Sequence, residues 1–253
     1  MTVRFNWKLG LGLSAVLVIS IAGFLVVLAP ASIAYSFIRE DLTQRAPQLL
    51  VTQVGGTVWN GSAFLEFDAF PGSTLTWNDV DVAPFARRIG ARVRLAAASH
   101  DLSSLLRANA TELELTDTKG RIDHTLVDAW GERFGLAFAG EVDLRQLDLV
   151  ADQRWLKALE ADLAWSGGAV SYTAYDQTET YRLPPLDLKA RLDGEVVRAD
   201  VTHDGAQVIE VTLGPDGVSY VAVKARLFLL AELPWPGGQP PDENVIEVER
   251  PLW

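Results

Sequence analysis

From residue 58 onward, apolar residues recur at every second position rather than at the 3.6-residue spacing of a helix. Alternate side chains therefore share one face of an extended strand. Leu159, Ala161, Leu163 and Trp165 alternate with Glu160, Asp162 and Ala164, and Leu186, Leu188, Ala190 and Leu192 alternate with Asp187, Lys189 and Arg191. Both segments read as half-buried strands. The same spacing predicts strands at 58–67, 75–82, 91–97, 113–115, 136–144, 170–175, 208–213 and 218–229. Gly167-Gly168, Asp193-Gly194, Asp204-Gly205 and Pro215-Asp216-Gly217 stand between strands and supply the positive φ angles that tight hairpins need.

Helical spacing is sparse: 37–47, a short piece at 102–108, and a turn or two within 147–159, where 151–156 lacks alternation. Residues 234–242 hold four Pro and two Gly and read as loop or linker, and 245–248 alternates only weakly. Short strands joined by tight hairpins, with polar residues at the alternate positions, predict an antiparallel sheet with one wet face. A βαβ arrangement is disfavoured.

Ahead of this region, residues 9–38 carry no charged side chain, and 9–28 is an apolar run of 20 residues, enough to cross a bilayer core. Arg4 and Lys8 precede the run while Arg39, Glu40 and Asp41 follow it, which predicts a cytoplasmic N-terminus. A cleaved signal peptide is the rival reading, since Ala29-Pro30-Ala31 and Ser32-Ile33-Ala34 are small-x-small patterns. The run is longer than a signal h-region, and Pro30 sits badly for cleavage. The expected fold is mainly β: an N-terminal transmembrane helix, then an exported, curved antiparallel sheet, a meander or half-barrel. The expected divisions are 1–8 cytoplasmic, 9–34 transmembrane, 35–233 the exported β domain, which the resemblance given below places in the periplasm, and 234–253 a Pro-rich tail.

Composition narrows the chemistry. The chain has 253 residues, no Cys, three His and a net charge of −11. Disulfides, thiol nucleophiles and Cys-based zinc sites are excluded, and phosphate backbones would be repelled, so no nucleic acid is expected. Without Arg4 and Lys8 the exported part has 20 basic and 33 acidic residues, net −13, and should stand off from anionic head groups. His100, His124 and His203 each neighbour an Asp, but adjacent strand residues face opposite sides, so each His reads as a surface residue. No nucleophile elbow, phosphate loop or His-Glu-x-x-His sequence occurs. No catalytic, metal or cofactor residue is expected, although 33 acidic residues leave carboxylate pairs open. Six of the eight Trp, at 59, 77, 130, 155, 165 and 235, fall on predicted strands or near their ends and read mainly as core.

The most distinctive segment is Gly55-Gly56-Thr57-Val58-Trp59-Asn60-Gly61-Ser62-Ala63, read as a short strand bearing a buried Trp59 between two glycines. An N-terminal apolar run, then Gly56, Thr57, Trp59, Gly61 and Ala63, then Leu75 with Trp77, resembles the type II secretion system protein N family. The likeness continues through 138–144 and alternating strands to about Leu230, while the Pro-rich tail and Pro251-Leu252-Trp253 depart from it.

The resemblance implies a non-enzymatic accessory component in the inner membrane of a Gram-negative bacterium, with no cofactor. It would contact inner-membrane lipid through its helix and other type II secretion components through its periplasmic domain. Related inner-membrane proteins of the AsmA type carry similar Trp-x-Gly elements, so a lipid-handling role with an apolar sheet face is the alternative. A tethered hydrolase is a third reading. Lipid handling predicts a continuous apolar groove, a scaffold predicts that face filled or covered, and a hydrolase predicts converging polar side chains.

Overall fold

The computed structural model describes residues 26–67, 70–83, 87–131, 135–174, 177–233 and 238–251. Among these, sixteen strands and three helices are present. The strands are β1 Leu49–Gly56, β2 Gly61–Phe67, β3 Phe70–Ala83, β4 Arg88–Ala96, β5 His100–Ala108, β6 Glu112–Ile122, β7 Leu136–Phe138 and β8 Val142–Asp152. They continue with β9 Leu156–Trp165, β10 Gly168–Ala174, β11 Gln177–Leu183, β12 Leu186–Asp193, β13 Val196–His203, β14 Ala206–Leu213, β15 Val218–Lys224 and β16 Asn244–Pro251. The helices are α1 Ala31–Arg45, α2 His124–Gly131 and α3 Ala225–Leu230.

Thirteen strands form one antiparallel sheet in the order β1-β2-β3-β4-β5-β6-β8-β9-β12-β13-β14-β15-β16, so the mainly β, meandering architecture expected from alternation is present. The sheet departs from strict sequence order only where β7 and the β10–β11 hairpin leave it to form a second sheet, β11-β10-β7. Among the described residues β1 pairs only with β2 and β16 only with β15, so the main sheet is open at both ends.

Register explains why alternation was so clear. Directly opposed residues share a face, and one row of paired positions runs Ala63, Leu75, Leu95, Leu102, Gly120, Leu144, Leu163, Leu188, Val201, Ile209, Val223, Ile246 across twelve strands. Every member is apolar or Gly. The opposite face carries cross-strand ion pairs, including Arg94 with Asp101, Arg145 with Asp162 and Asp187, and Arg198 with Asp193 and Glu210. Few described apolar side chains on the sheet are fully enclosed: Ala63, Leu144, Ala161, Val208 and Ala222 are buried, and among the described residues Val208 alone is a large side chain wholly out of contact with solvent. No described layer covers the whole apolar face.

Several predicted elements are corrected. Residues 102–108 lie in strand β5, where Leu102, Ser104 and Leu106 face the apolar side and Leu105 the other; pairing with β4 and β6 overrides the helical spacing. Residues 151–156 are the end of β8, a tight turn and the start of β9, closed by Asp152 Oδ1 accepting from the backbone N–H groups of Arg154 and Trp155. The 136–144 segment splits between the two sheets, and 218–229 is β15 followed by α3. The predicted 58–67 strand begins only at Gly61. The Pro-rich stretch gives way at Asn244 to β16, which pairs with β15 through Val221 and Val248.

The predicted membrane span, 9–34, lies outside the described residues as far as Leu25. Its last residues, Ala31 to Ala34, belong instead to α1, which starts after Pro30 and packs on β1. Pro47 ends that helix, since the residue before a proline is disfavoured in helical conformation; Ala46 stands at φ −135° and ψ 70°. Among the described residues no helix is long and apolar enough to cross a membrane.

Candidate functional site

The glycine-framed segment is the hairpin turn between β1 and β2. Gly56 and Gly61 face each other across the ladder, and Thr57–Asn60 closes through the Thr57 N–H donating to the Asn60 carbonyl at 2.8 Å and the Asn60 N–H to Thr57 Oγ1 at 3.1 Å. Gly56 has φ +79°, and a Cβ there would stand 2.5 Å from the Asn60 carbonyl oxygen. A Cβ on Gly61 would stand 2.5 Å from both the Gly55 carbonyl oxygen and the Trp77 ring. Only glycine permits this closeness on both sides.

Trp59 is therefore a half-buried turn residue and not the buried strand aromatic expected from its neighbours. Its ring N–H donates to the Val26 carbonyl at 2.8 Å, while the Val58 backbone N–H donates to the Ala29 carbonyl at 2.9 Å and Thr57 forms a β-bridge with Pro30. The turn thus grips the backbone of 26–30, where the apolar N-terminal run leads into α1. From below, the Trp77 ring N–H donates to the Thr57 carbonyl at 3.2 Å and holds the turn against β3. Gly56, Thr57, Trp59, Gly61 and Trp77 form one clamp, while Ala63 and Leu75, paired with each other, form the floor of the groove beside it.

That groove, about 370 Å³, runs between α1 and the apolar face of β1 to β3, with Ala34, Ile38 and Leu42 on the helix side and Leu65, Leu75 and Trp77 on the sheet side. Among the described residues no ionisable group other than Tyr35 lines it, and the Tyr35 hydroxyl donates to the Val51 carbonyl at 3.3 Å. A second groove of about 360 Å³ shares Leu49 and Leu65 with the first and continues past Leu95 and Leu102 to Leu126 of α2. The sequence pattern showed the sheet face but not α1 as its partial cover. The helical spacing of Ala31, Ala34, Tyr35, Ile38 and Leu42 over three turns is the signal for it.

His100 corrects a second expectation. It is 6% exposed, in phase with Leu102 on the apolar face, and it borders the second groove. Its Nε2 lies 3.0 Å from Ser73 Oγ and its Nδ1 3.1 Å from Ser99 Oγ. The Ser73 hydroxyl donates its one proton to the Pro71 carbonyl at 2.9 Å, so Nε2 must be the donor to Ser73 and Nδ1 the acceptor from Ser99. A serine bonded in this way is not activated as a nucleophile; the network ties β3 to β5. Burial lowers the His100 pKa from its ordinary value despite the nearby Asp123 and Asp101 carboxylates. His124 is exposed, and His203 Nδ1 lies 2.8 Å from the Pro185 carbonyl, so the structure does not bring the three histidines together. Among the described residues no group of three or more His, Asp and Glu side chains is placed to hold a metal ion.

On the polar face, the Arg94 guanidinium holds the Asp101 carboxyl below its usual range through contacts of 2.6 and 2.5 Å, and Lys157 does the same for Glu112 at 2.5 Å. These pairs are solvated and form a charged ladder across strands. Comparison with curated proteins and with solved structures returns no match. The family model described as type II secretion system (T2SS), protein N, matches residues 47–228, from the start of the sheet into α3 and across every clamp and groove-floor residue named above. The chain belongs to the type II secretion system protein N family and is a component of that protein secretion system.

Proposed function

We propose that this secretion component is held in the inner membrane by residues 9–28, with its N-terminus in the cytoplasm and its sheet in the periplasm, and that it acts without an active site. It serves as a docking surface for other secretion components. The observation that supports this reading is the open end of the sheet at β16, where Ile246 and Val248 alternate with Glu247 and Glu249 on an edge with no further strand among the described residues. An unpaired edge offers backbone donors and acceptors for strand addition. The other edge, β1, is interrupted at Gln53 (φ 50°) and carries α1. The acidic β16 edge calls for a neutral or basic partner strand.

Co-purification of the solubilised full chain with its secretion neighbours tests this. A neighbour should be retained at low salt, and retention should weaken as the Debye length falls to about 8 Å and below. Glu247→Lys with Glu249→Lys should abolish it; both side chains are exposed, and because Glu247 accepts from Asn244 Nδ2 at 3.0 Å, circular dichroism of the variant checks that the sheet is kept. Retention unchanged by salt and by reversal refutes the edge reading. N-terminal sequencing of membrane-extracted protein should return Met1 or Thr2, and a start near Ser32 refutes the anchor.

A further inference from the structure

Three observations about the groove under α1 converge. Among the described residues its wall offers a polar ligand no free donor: the Tyr35 hydroxyl and the Trp77 ring N–H both donate to backbone carbonyls, and the remaining lining is aliphatic. An occupant with hydrogen-bonding needs would lose them on entry, whereas a hydrocarbon chain loses only water. The cavity is also elongated, continuing into the second groove through Leu49 and Leu65 and onward along the apolar row of the sheet. Finally, the first half of α1 and the stretch before it expose apolar side chains: Phe37 is 80% exposed and Ile33 55% on the helix, and Val26, Val27 and Leu28, the last residues of the apolar run of 9–28, between 49% and 63%, with the exposed Arg39, Glu40 and Asp41 following on α1. Such a patch is costly in water and ordinary for a helix lying at a bilayer surface. The clamp of Trp59 and Trp77 fixes that junction beside the mouth of the groove.

We propose that the groove between α1 and β1 to β3 is an acyl-chain site, which takes one tail of a zwitterionic phospholipid from the periplasmic leaflet while α1 rests in the interface. The proposal rests on the membrane reading above. The acidic exported part disfavours anionic head groups, which selects the zwitterionic class. The tail lies along Leu65 and Leu75, with α1 as its lid.

The test uses the full chain carrying a benzophenone amino acid at position 75, in the groove, or at position 189, on the polar face, reconstituted into vesicles of phosphatidylethanolamine and phosphatidylcholine. After irradiation, intact mass should show one phospholipid adduct for the position-75 protein and none for position 189. Phe37→Glu, at an exposed position that leaves the fold intact, should lower the adduct yield at position 75 about tenfold, the scale of placing a carboxylate in the interface. Absence of an adduct at position 75 overturns the proposal, as does equal labelling at 189. A crosslink within the chain to residues 9–25 also overturns it, by showing that the protein's own segment fills the groove. Vesicle flotation separates these results from a failure of the membrane reading, because a chain that does not float with lipid refutes the anchor itself.

Discussion

Gly61→Ala should unfold the clamp, while Gly55→Ala, six residues earlier in the same hairpin, should not. At Gly61 the added Cβ would stand 2.5 Å from the Gly55 carbonyl oxygen, 2.5 Å from Trp77 Cζ2 and 2.9 Å from the Thr57 carbonyl oxygen. Two of those neighbours are backbone and cannot swing aside, so the turn must open. Overpacking of this kind costs about 1–3 kcal/mol. Opening also separates the Trp77 ring N–H from the Thr57 carbonyl, now 3.2 Å apart, adding about 1 kcal/mol. A total loss of about 2–4 kcal/mol is expected.

At Gly55 the new methyl meets nothing within 4 Å, and Gly55 is not among the positive-φ residues. There the substitution restricts the unfolded chain and should stabilise by about 0.4–1 kcal/mol. Urea unfolding of the detergent-solubilised full chain, followed by tryptophan fluorescence, measures both. If the two variants lie within about 0.5 kcal/mol of each other, the turn is looser than described and the clamp account is wrong.

Leu144, buried at the middle of the apolar row, should cost about 2–5 kcal/mol as Leu144→Ala, whereas Leu50→Ala, 54% exposed, should fall within about 0.5 kcal/mol of the parent in the same unfolding assay. Because burial depresses the folded-state pKa of His100, the unfolded chain binds the extra proton first. Stability should be full above about pH 6.5 and fall as pH drops from there through the depressed folded value; a pH series on His100→Gln should lose that slope. Asp101 and Asp123, whose pKa values are lowered by bonds from Arg94 and Thr125, contribute stability that is present above the ordinary carboxylate range and lost below it, so acid titration should show a second, lower fall. Arg94→Ala should leave the melting temperature close to the parent's at physiological salt, since the pair is solvent-exposed on both sides.

The strands that alternation identified best are those whose two faces meet different surroundings. In β9 and β12, Leu163 and Leu188 pair on the apolar side while Asp162 and Lys189 meet on the wet side, and the sequence carries that contrast residue by residue. In β5 the wet face holds Leu105, so the pattern of 102, 105 and 106 imitates a helix, and only pairing with β4 and β6 decides the outcome. β16 was faint because its alternate positions are exposed on both sides; its conformation comes from β15, which no local signal reports. The division of 136–144 between two sheets depends on Gly140 at φ +95°, a change of direction that period-two spacing cannot register. At the site, the motif residues were legible as a group, but Trp59 was misplaced because its partner, the Val26 carbonyl, lies 33 residues away. His100 is legible in principle, being in phase with Leu102, although the adjacent Asp101 on the wet face makes the segment read as surface.

The order of the sheet also sets how the molecule can be assembled. Because nearly every strand of the main sheet pairs with its neighbours in sequence, and the departures are the short excursions at β7 and β10–β11, loop closure is cheap at each addition. A chain emerging from its N-terminal end can lay β2 on β1, β3 on β2 and so onward without waiting for its last residues, as quasi-linear arrays do. Growth of this kind leaves a bare edge at every stage, and each nascent edge is a point of self-association until the next strand arrives. The acidic side chains of β16 are what finally discourage a like copy from adding to the finished array: antiparallel self-pairing would bring Glu247 and Glu249 of two molecules together.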